Sequence, residues 1–211
     1  LIAGVLALSF LSVPATGRAG ESSSLYFACA SCHGKNGEGN RAKNSPPLAG
    51  LDTEYIKRQM LNYKYERRGL SPKDRYGKQM ALIAKAYSDE QIDQLATQIE
   101  SFDKVSRQDF SKTALKILVS ADLDNGKEQY QICASCHGVN AEGNSVMQSP
   151  RLDIFYAPYL IRQLQHYRDG LRGYHENDEL GQNMALFMQS EVGKDKNIID
   201  ITAYILSLET N

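Results

Sequence analysis

Tryptophan is absent from this 211-residue chain, and cysteine occurs only four times. Four cysteines in so long a chain are too few for a disulfide-dense scaffold. An excess of either charge is missing as well: 24 Lys and Arg stand against 25 Asp and Glu, a net charge of −1. That balance leaves no electrostatic footprint for nucleic acid, which is therefore not expected as a partner. Long apolar runs are lacking too, apart from Leu1 to Val13. This run is too short to span a bilayer, which takes about 20 apolar residues. It has the length of a signal-peptide h-region, and the small residues of Val13-Pro14-Ala15 and Gly17-Arg18-Ala19 fit a cleavage pattern. Residues 1–20 are accordingly expected to be a signal-peptide remnant that exports the protein to the periplasm. An uncleaved N-terminal anchor or a buried apolar helix is the alternative. The remainder has an ordinary globular composition, 42% hydrophobic and 23% charged.

What the chain does contain is a repeat. Cys29-Ala30-Ser31-Cys32-His33 recurs 104 residues later as Cys133-Ala134-Ser135-Cys136-His137. Residues 26–82 and 130–186 align without a gap, with 25 identities in 57 positions. The shared residues include Tyr26/Tyr130, Glu38/Glu142, Pro46/Pro150, Tyr55/Tyr159, Arg58/Arg162, Gln59/Gln163, Gly69/Gly173 and Met80/Met184. Such density excludes convergence. The chain reads as a tandem duplication of a module of about 90 residues, a period too long for a solenoid. The seam is the dissimilar stretch from Asp103 to about Ala121, placing domains at 21–110 and 111–211. Its apolar part, ALKILV, reads as a linker strand packed between them.

The hydrophobic spacing is helical, with little alternation of period two. Short helices are expected to lead into each cysteine motif, at Ser22–Cys29 and Asn125–Cys133. A second helix is expected from Asp52 or Thr53 to about Tyr65, and its counterpart from Pro158, a residue suited to a first helical turn, to near Gly170. A third opens at Ser88, where Gln91 can close a capping box, and carries Ile92, Leu95, Ala96 and Ile99. Its counterpart, with Ile198, Ile201, Thr202 and Ile205, needs an offset of 106, hence two inserted residues near Val192-Gly193.

Two cysteines three apart can bind zinc, run thiol redox chemistry or form thioethers to haem. The adjacent histidine decides. In C-x-x-C-H the thiols of Cys29 and Cys32, or Cys133 and Cys136, attach the macrocycle, and His33 or His137 meets the iron from one side. A structural zinc site draws four ligands into one cluster, and a thioredoxin-like site needs a βαβ context that is not evident. Two covalently bound haem c groups are therefore expected. A module this small buries only a modest core, so the porphyrin is expected to supply much of the missing apolar volume.

The second axial ligand follows from the repeat. Of five methionines, only Met80 and Met184 are repeat partners, each 47 residues after its CxxCH histidine. His166 faces Asn62 and His175 faces Ser71, so neither histidine is duplicated. His33 with Met80, and His137 with Met184, are the expected ligand pairs, with two homologous core methionines as the plain alternative. His/Met ligation raises the reduction potential and leaves no open coordination site. That favours electron transfer, with no catalytic residue and no small-molecule substrate.

With these motifs in place the chain resembles the dihaem cytochrome c4 family, a tandem of class I cytochrome c domains. The resemblance rests on the CASCHG segments, SPPL and SPRL, YIKRQM and YLIRQL, HYRDGLRG, and GKQMAL with GQNMAL, over nearly all of residues 22–211. It implies an all-α fold of two haem domains placed face to face about a pseudo-twofold axis. It implies that the carbonyls of Pro46 and Pro150 accept from the proximal histidines. It also implies a periplasmic carrier, soluble or loosely membrane-associated, passing electrons from the bc1 complex toward a terminal oxidase. A dihaem electron-transfer subunit of a dehydrogenase, of the flavin sulfide or alcohol type, has the same haem chemistry. A dihaem peroxidase would need an open or labile distal site. The first copy departs from the family's FRxGxR-like pattern at Tyr63-Lys64-Tyr65-Glu66-Arg67-Arg68.

The near-zero charge hides two unequal halves. Residues 21–112 hold 15 basic and 12 acidic residues, net +3, and residues 113–211 hold 8 and 13, net −5. The asymmetry is either a plain solvated surface or a dipole that orients the protein on redox partners. Arg58/Arg162 and Arg68/Arg172 are candidates to pair with haem propionates, since guanidinium suits carboxylate.

Overall fold

The computed structural model describes residues 25–105 and 112–208. The expected signal segment and the expected boundary near residue 110 lie outside these residues. The described chain is helical, and its only β pairing is the isolated bridges Asn40↔Ser45 and Asn144↔Ser149. The first half holds α1 (Phe27–His33), α2 (Thr53–Lys64), α3 (Arg75–Ala84) and α4 (Asp89–Glu100). After α5 (Lys112–Ser120), the second half repeats the order with α6 (Leu123–His137), α7 (Ala157–Arg168), α8 (Glu179–Met188) and α9 (Asp195–Ser207). Thus α2 and α7, and α3 and α8, start 104 residues apart, whereas α4 and α9 start 106 apart. The two extra residues fall at the short 3₁₀ turn Glu191–Gly193.

Local chemistry sets most helix ends. Asp52 caps α2 by accepting from the backbone N–H of Glu54 and Tyr55. Ser88 and Gln91 form a reciprocal capping box at α4, while Pro158 occupies the first turn of α7. Helices α1 and α6 run through the CxxCH motifs, past the expected ends at Cys29 and Cys133. They stop at Gly34 (φ 86°) and Gly138 (φ 83°), in a backbone region that glycine enters without steric penalty.

In the first half α2 packs against α3 and α4; in the second, α7 packs against α8 and α9, and α9 against α6. Ile92, Leu95, Ala96 and Ile99 form the buried face of α4, and Ile198, Ile201, Thr202 and Ile205 that of α9. Fully burying an aliphatic side chain contributes about 1.5–3 kcal/mol, so these faces anchor the scaffold.

The seam corrects an expectation. ALKILV is helix α5, not a strand, and it does not lie between the halves. Ile117 packs with Ala157 and Ala203, and Leu118 and Ala121 join the same cluster. The i, i+3, i+4, i+7 spacing of Ala114, Ile117, Leu118 and Ala121 makes one helical stripe. That stripe docks on α7 and α9 of the second half.

Candidate functional site

Each CxxCH occupies the last turns of a helix, so a residue and the one four places on share a face. Cys29 and His33, and likewise Cys133 and His137, are thereby brought to one side. A tyrosine secures the end of each helix. The Tyr26 hydroxyl donates to the Gly34 carbonyl at 2.9 Å, and Tyr130 donates to Gly138 at 2.8 Å. Both rings are buried, packing on Phe102 and Tyr204. The repeat lists these tyrosines as shared but gives them no role.

The loop after each histidine folds back over it. The His33 carbonyl accepts from Gly39 N–H at 2.7 Å, and Leu48 N–H donates to Gly37. The second loop repeats both bonds, His137 from Gly143 and Leu152 to Ala141. Asn40 and Asn144 accept from Lys43 and Met147 N–H, tightening the return. The Pro46 carbonyl then receives the His33 Nδ1–H at 2.8 Å, and Pro150 receives His137 Nδ1–H at 2.8 Å. A carbonyl only accepts, so the bond fixes the tautomer and leaves Nε2 as the nitrogen able to bind a metal. Burial holds both rings below the ordinary imidazole range, although the proline carbonyls pull the other way. The neutral ring is the ligating form.

Met80 and Met184 lie on helices, α3 and α8, which the spacing alone does not announce. Each helix starts at a buried aspartate: Asp74 accepts from Gly77 N–H at 2.8 Å, and Asp178 from Gly181 N–H at 3.2 Å. The loop carrying Arg68 or Arg172 then crosses the helix start. A Cβ on Gly69 (φ 85°) would lie 2.5 Å from the Gly77 carbonyl oxygen, and one on Gly173 (φ 73°) 2.1 Å from that of Gly181. Gly69→Ala is therefore expected to destabilise the first half by about 1–3 kcal/mol. The measurement is the melting temperature followed by haem absorbance; the same change at exposed Gly170 (φ 66°), where no atom lies within 4 Å, carries the backbone strain without the clash and is expected to cost less.

Two cavities result. The first, about 1120 Å³ of non-atom space partly open to solvent, is lined by Cys29, Cys32, His33 and Met80. The second, about 1350 Å³, is lined by Cys133, Cys136, His137 and Met184. Each thus gathers two thiols, an imidazole and a thioether, with apolar walls. Each wall is completed across the pseudo-dyad: Phe155, Tyr159 and Gln163 reach the first cavity, and Tyr55, Arg58 and Gln59 the second. Thiol redox chemistry does not suit this setting. Burial pushes Cys133 up to about 11 and also raises Cys29, whereas reactive thiols are lowered. Among the described residues no cluster of three His, Cys, Asp or Glu side chains is arranged to hold a metal ion, as structural zinc would require.

The halves meet through reciprocal polar contacts. Arg58 donates to the Gln148 carbonyl at 2.8 Å, and Arg162 to that of Asn44, its repeat counterpart, at 3.1 Å. At the centre, Arg68 donates to Gln59 and Gln163 at 2.5 and 2.6 Å, and Arg172 to Gln163 and Gln59 at 2.9 Å each. Both arginines are buried, stacked on Tyr63 and Tyr167 with guanidinium carbons 4.6 and 4.4 Å from the ring centroids. The Nε atoms of Arg58, Arg68, Arg162 and Arg172 have no hydrogen-bond partner. Two buried cations with only neutral partners are costly. Cavities with orphaned cationic donors on their inner rims, thioether-forming cysteines and apolar walls fit haem, whose propionates are anionic.

A cytochrome c family description matches residues 20–103 and 123–209. The chain belongs to the cytochrome c family and carries two covalently bound haem c groups, one per CxxCH. Within that family it is like the dihaem cytochromes c4. It is 29% identical to cytochrome c4 of Azotobacter vinelandii over 92% of this chain and 90% of the relative. It is 30% identical to the thiosulfate dehydrogenase electron acceptor of Stutzerimonas stutzeri, over 79% of this chain and 74% of the relative. The crystal structure of reduced cytochrome c4 from Pseudomonas stutzeri has the same fold, with a TM-score of 0.65 and 24% identity, covering 89% of this chain and 97% of that one. The protein is a dihaem electron-transfer cytochrome, an electron carrier rather than an enzyme.

Proposed function

We propose that the chain carries single electrons in the periplasm between redox proteins, from the bc1 complex or another donor toward a terminal oxidase. The observation that carries this reading is the paired gathering of imidazole and thioether in each cavity. In this reading Cys29, Cys32, Cys133 and Cys136 form the thioethers, His33 and Met80 ligate the first iron, and His137 and Met184 the second. Haem supplies a one-electron couple, and His/Met ligation raises its potential and closes it to exogenous ligands. Pro46 and Pro150 hold the histidines in register, and domains at 21–110 and 111–211 each own one haem. No helix among the described residues is long and apolar enough to cross a membrane, which accords with a soluble or loosely membrane-associated carrier.

A second reading makes the chain the electron-transfer partner of a dehydrogenase. It is favoured by the relative named as a thiosulfate dehydrogenase electron acceptor. Stopped-flow reduction of the oxidised protein by a purified bc1 complex and by a purified dehydrogenase separates the two. Fast reduction by the dehydrogenase alone would remove the bc1 complex as donor and favour the second reading. The charge asymmetry adds an expectation: with the true partner the rate changes with ionic strength, and a salt-independent rate removes the dipole from the account.

In the same reading Arg68 and Arg172 face the propionates from the pseudo-dyad. Replacing Arg172 by methionine is expected to lower the second haem's reduction potential, because a buried cation disfavours the more positive ferric state. The shift is on the order of 60 mV, a tenfold change in a one-electron equilibrium. Redox titration by absorbance checks it, and an unchanged potential would remove Arg172 from the haem environment.

A further inference from the structure

The interface obeys the repeat closely, and its chief departure is a buried ionisable side chain. His166 on α7 is 8% exposed, whereas its counterpart, Asn62 on α2, is 1% exposed. His166 Nδ1 has no hydrogen-bond partner and lies 3.7 Å from Oδ2 of Asp74 in the other half. Asp74 is itself buried, caps the helix that carries Met80 and lines the first cavity. At the reciprocal position the chain has Asn62, an amide that cannot ionise.

Taking the haem reading above as its basis, we propose that His166 is a redox-linked proton site: reduction of the first haem is accompanied by proton uptake at the His166 imidazole, whose Nδ1 faces Asp74. One electron arrives from the redox donor and one proton from solvent. Imidazole becomes imidazolium, no bond between heavy atoms changes, and both particles leave on oxidation.

The charges around the ring give the direction. Facing it are the Asp74 carboxylate and the guanidiniums of Arg68 and Arg172 from the interface and Arg162 from its own helix. Burial lowers the imidazole's proton affinity most, Asp74 opposes this, and the three arginines add to the lowering. The balance favours the neutral form of the ring. Reduction removes one positive charge from the first cavity, which Asp74 lines, and in a low-dielectric interior that loss reaches the ring weakly screened. Proton affinity therefore rises on reduction. The first haem's midpoint falls as pH rises between the oxidised-state and reduced-state values of the ring, and is flat outside them.

The test is a redox titration of the intact dihaem protein from about pH 5 to about pH 8, the range where histidine switches. Haem-methyl NMR signals assign each midpoint. A tenfold difference in proton affinity between the two states moves the first midpoint by about 59 mV across the window. His166→Asn, the residue the other half uses here, is expected to abolish that slope and leave the second haem unchanged. A slope that survives H166N assigns the proton elsewhere, for example to a propionate, and overturns the proposal. The wild-type His166 ring is titrated by NMR in both redox states, so a poorly folded variant does not blunt the test. A higher value in the reduced state supports the site, and equal values overturn it. An intact low-spin spectrum alongside a missing slope in the wild-type protein would sink this proposal and leave the carrier reading standing.

Discussion

Alanine in place of Met184 is expected to make one haem per chain bind carbon monoxide rapidly at neutral pH once reduced, where the parent protein binds none. The thioether is the only soft donor that α8 presents to the second cavity beside Met188, which is buried in the core. Alanine has no atom that reaches the metal, and the walls are apolar, so water or an added ligand takes the position. The potential of that haem should drop by a sizeable part of the roughly 0.8 V range that axial ligands control. The other haem should keep its band and its potential, because its ligands sit on different helices. Met80→Ala should give the mirror result at the first haem. If M184A kept a closed low-spin site with an unchanged potential, another side chain would be the ligand.

The second large effect concerns folding. A double exchange of Cys133 and Cys136 for alanine removes covalent attachment in the second half, and that half is expected to lose its native tertiary structure. Its core is built around the cavity: Tyr159, Leu160, Tyr167, Ile201 and Ile205 all line it. Without the porphyrin these side chains line about 1350 Å³ of non-atom space, part of it open to solvent. Domain stability is a margin of only about 5–15 kcal/mol, and large-to-small changes in a core already cost about 2–5 kcal/mol each. Near-ultraviolet circular dichroism and limited proteolysis should show a collapsed second half beside a first half that keeps its covalently bound haem. Native-like dichroism from the haem-free half would contradict this.

The elements that local chemistry specifies were legible in the sequence. Ser88 and Gln91 announced a helix start, and the four-residue spacing of apolar side chains announced α4 and α9. The 106-residue offset of α9 could be read because the flanking repeat is gapless. ALKILV could be misread because a short apolar run has no clear period until its neighbour is known; only the small residues Ala157 and Ala203 on the facing helices show why it coils. The central Arg68, Gln59, Gln163 and Arg172 network was out of reach for another reason. Each residue is ordinary within its own half, and its role arises from bonds spanning 95 or 113 residues of sequence. His166 was visible as an unduplicated histidine, but its partner, Asp74, belongs to the opposite module.

The account rests on two haems per chain, each closed by an imidazole and a thioether. Its most direct test is one optical and magnetic spectrum of the oxidised, exported protein, normalised to protein concentration. Two low-spin ferric c-type haems per chain, both contributing to the methionine-to-iron charge-transfer band, are the expected result. A single haem per chain, a high-spin component, or a band of half the expected intensity would contradict it.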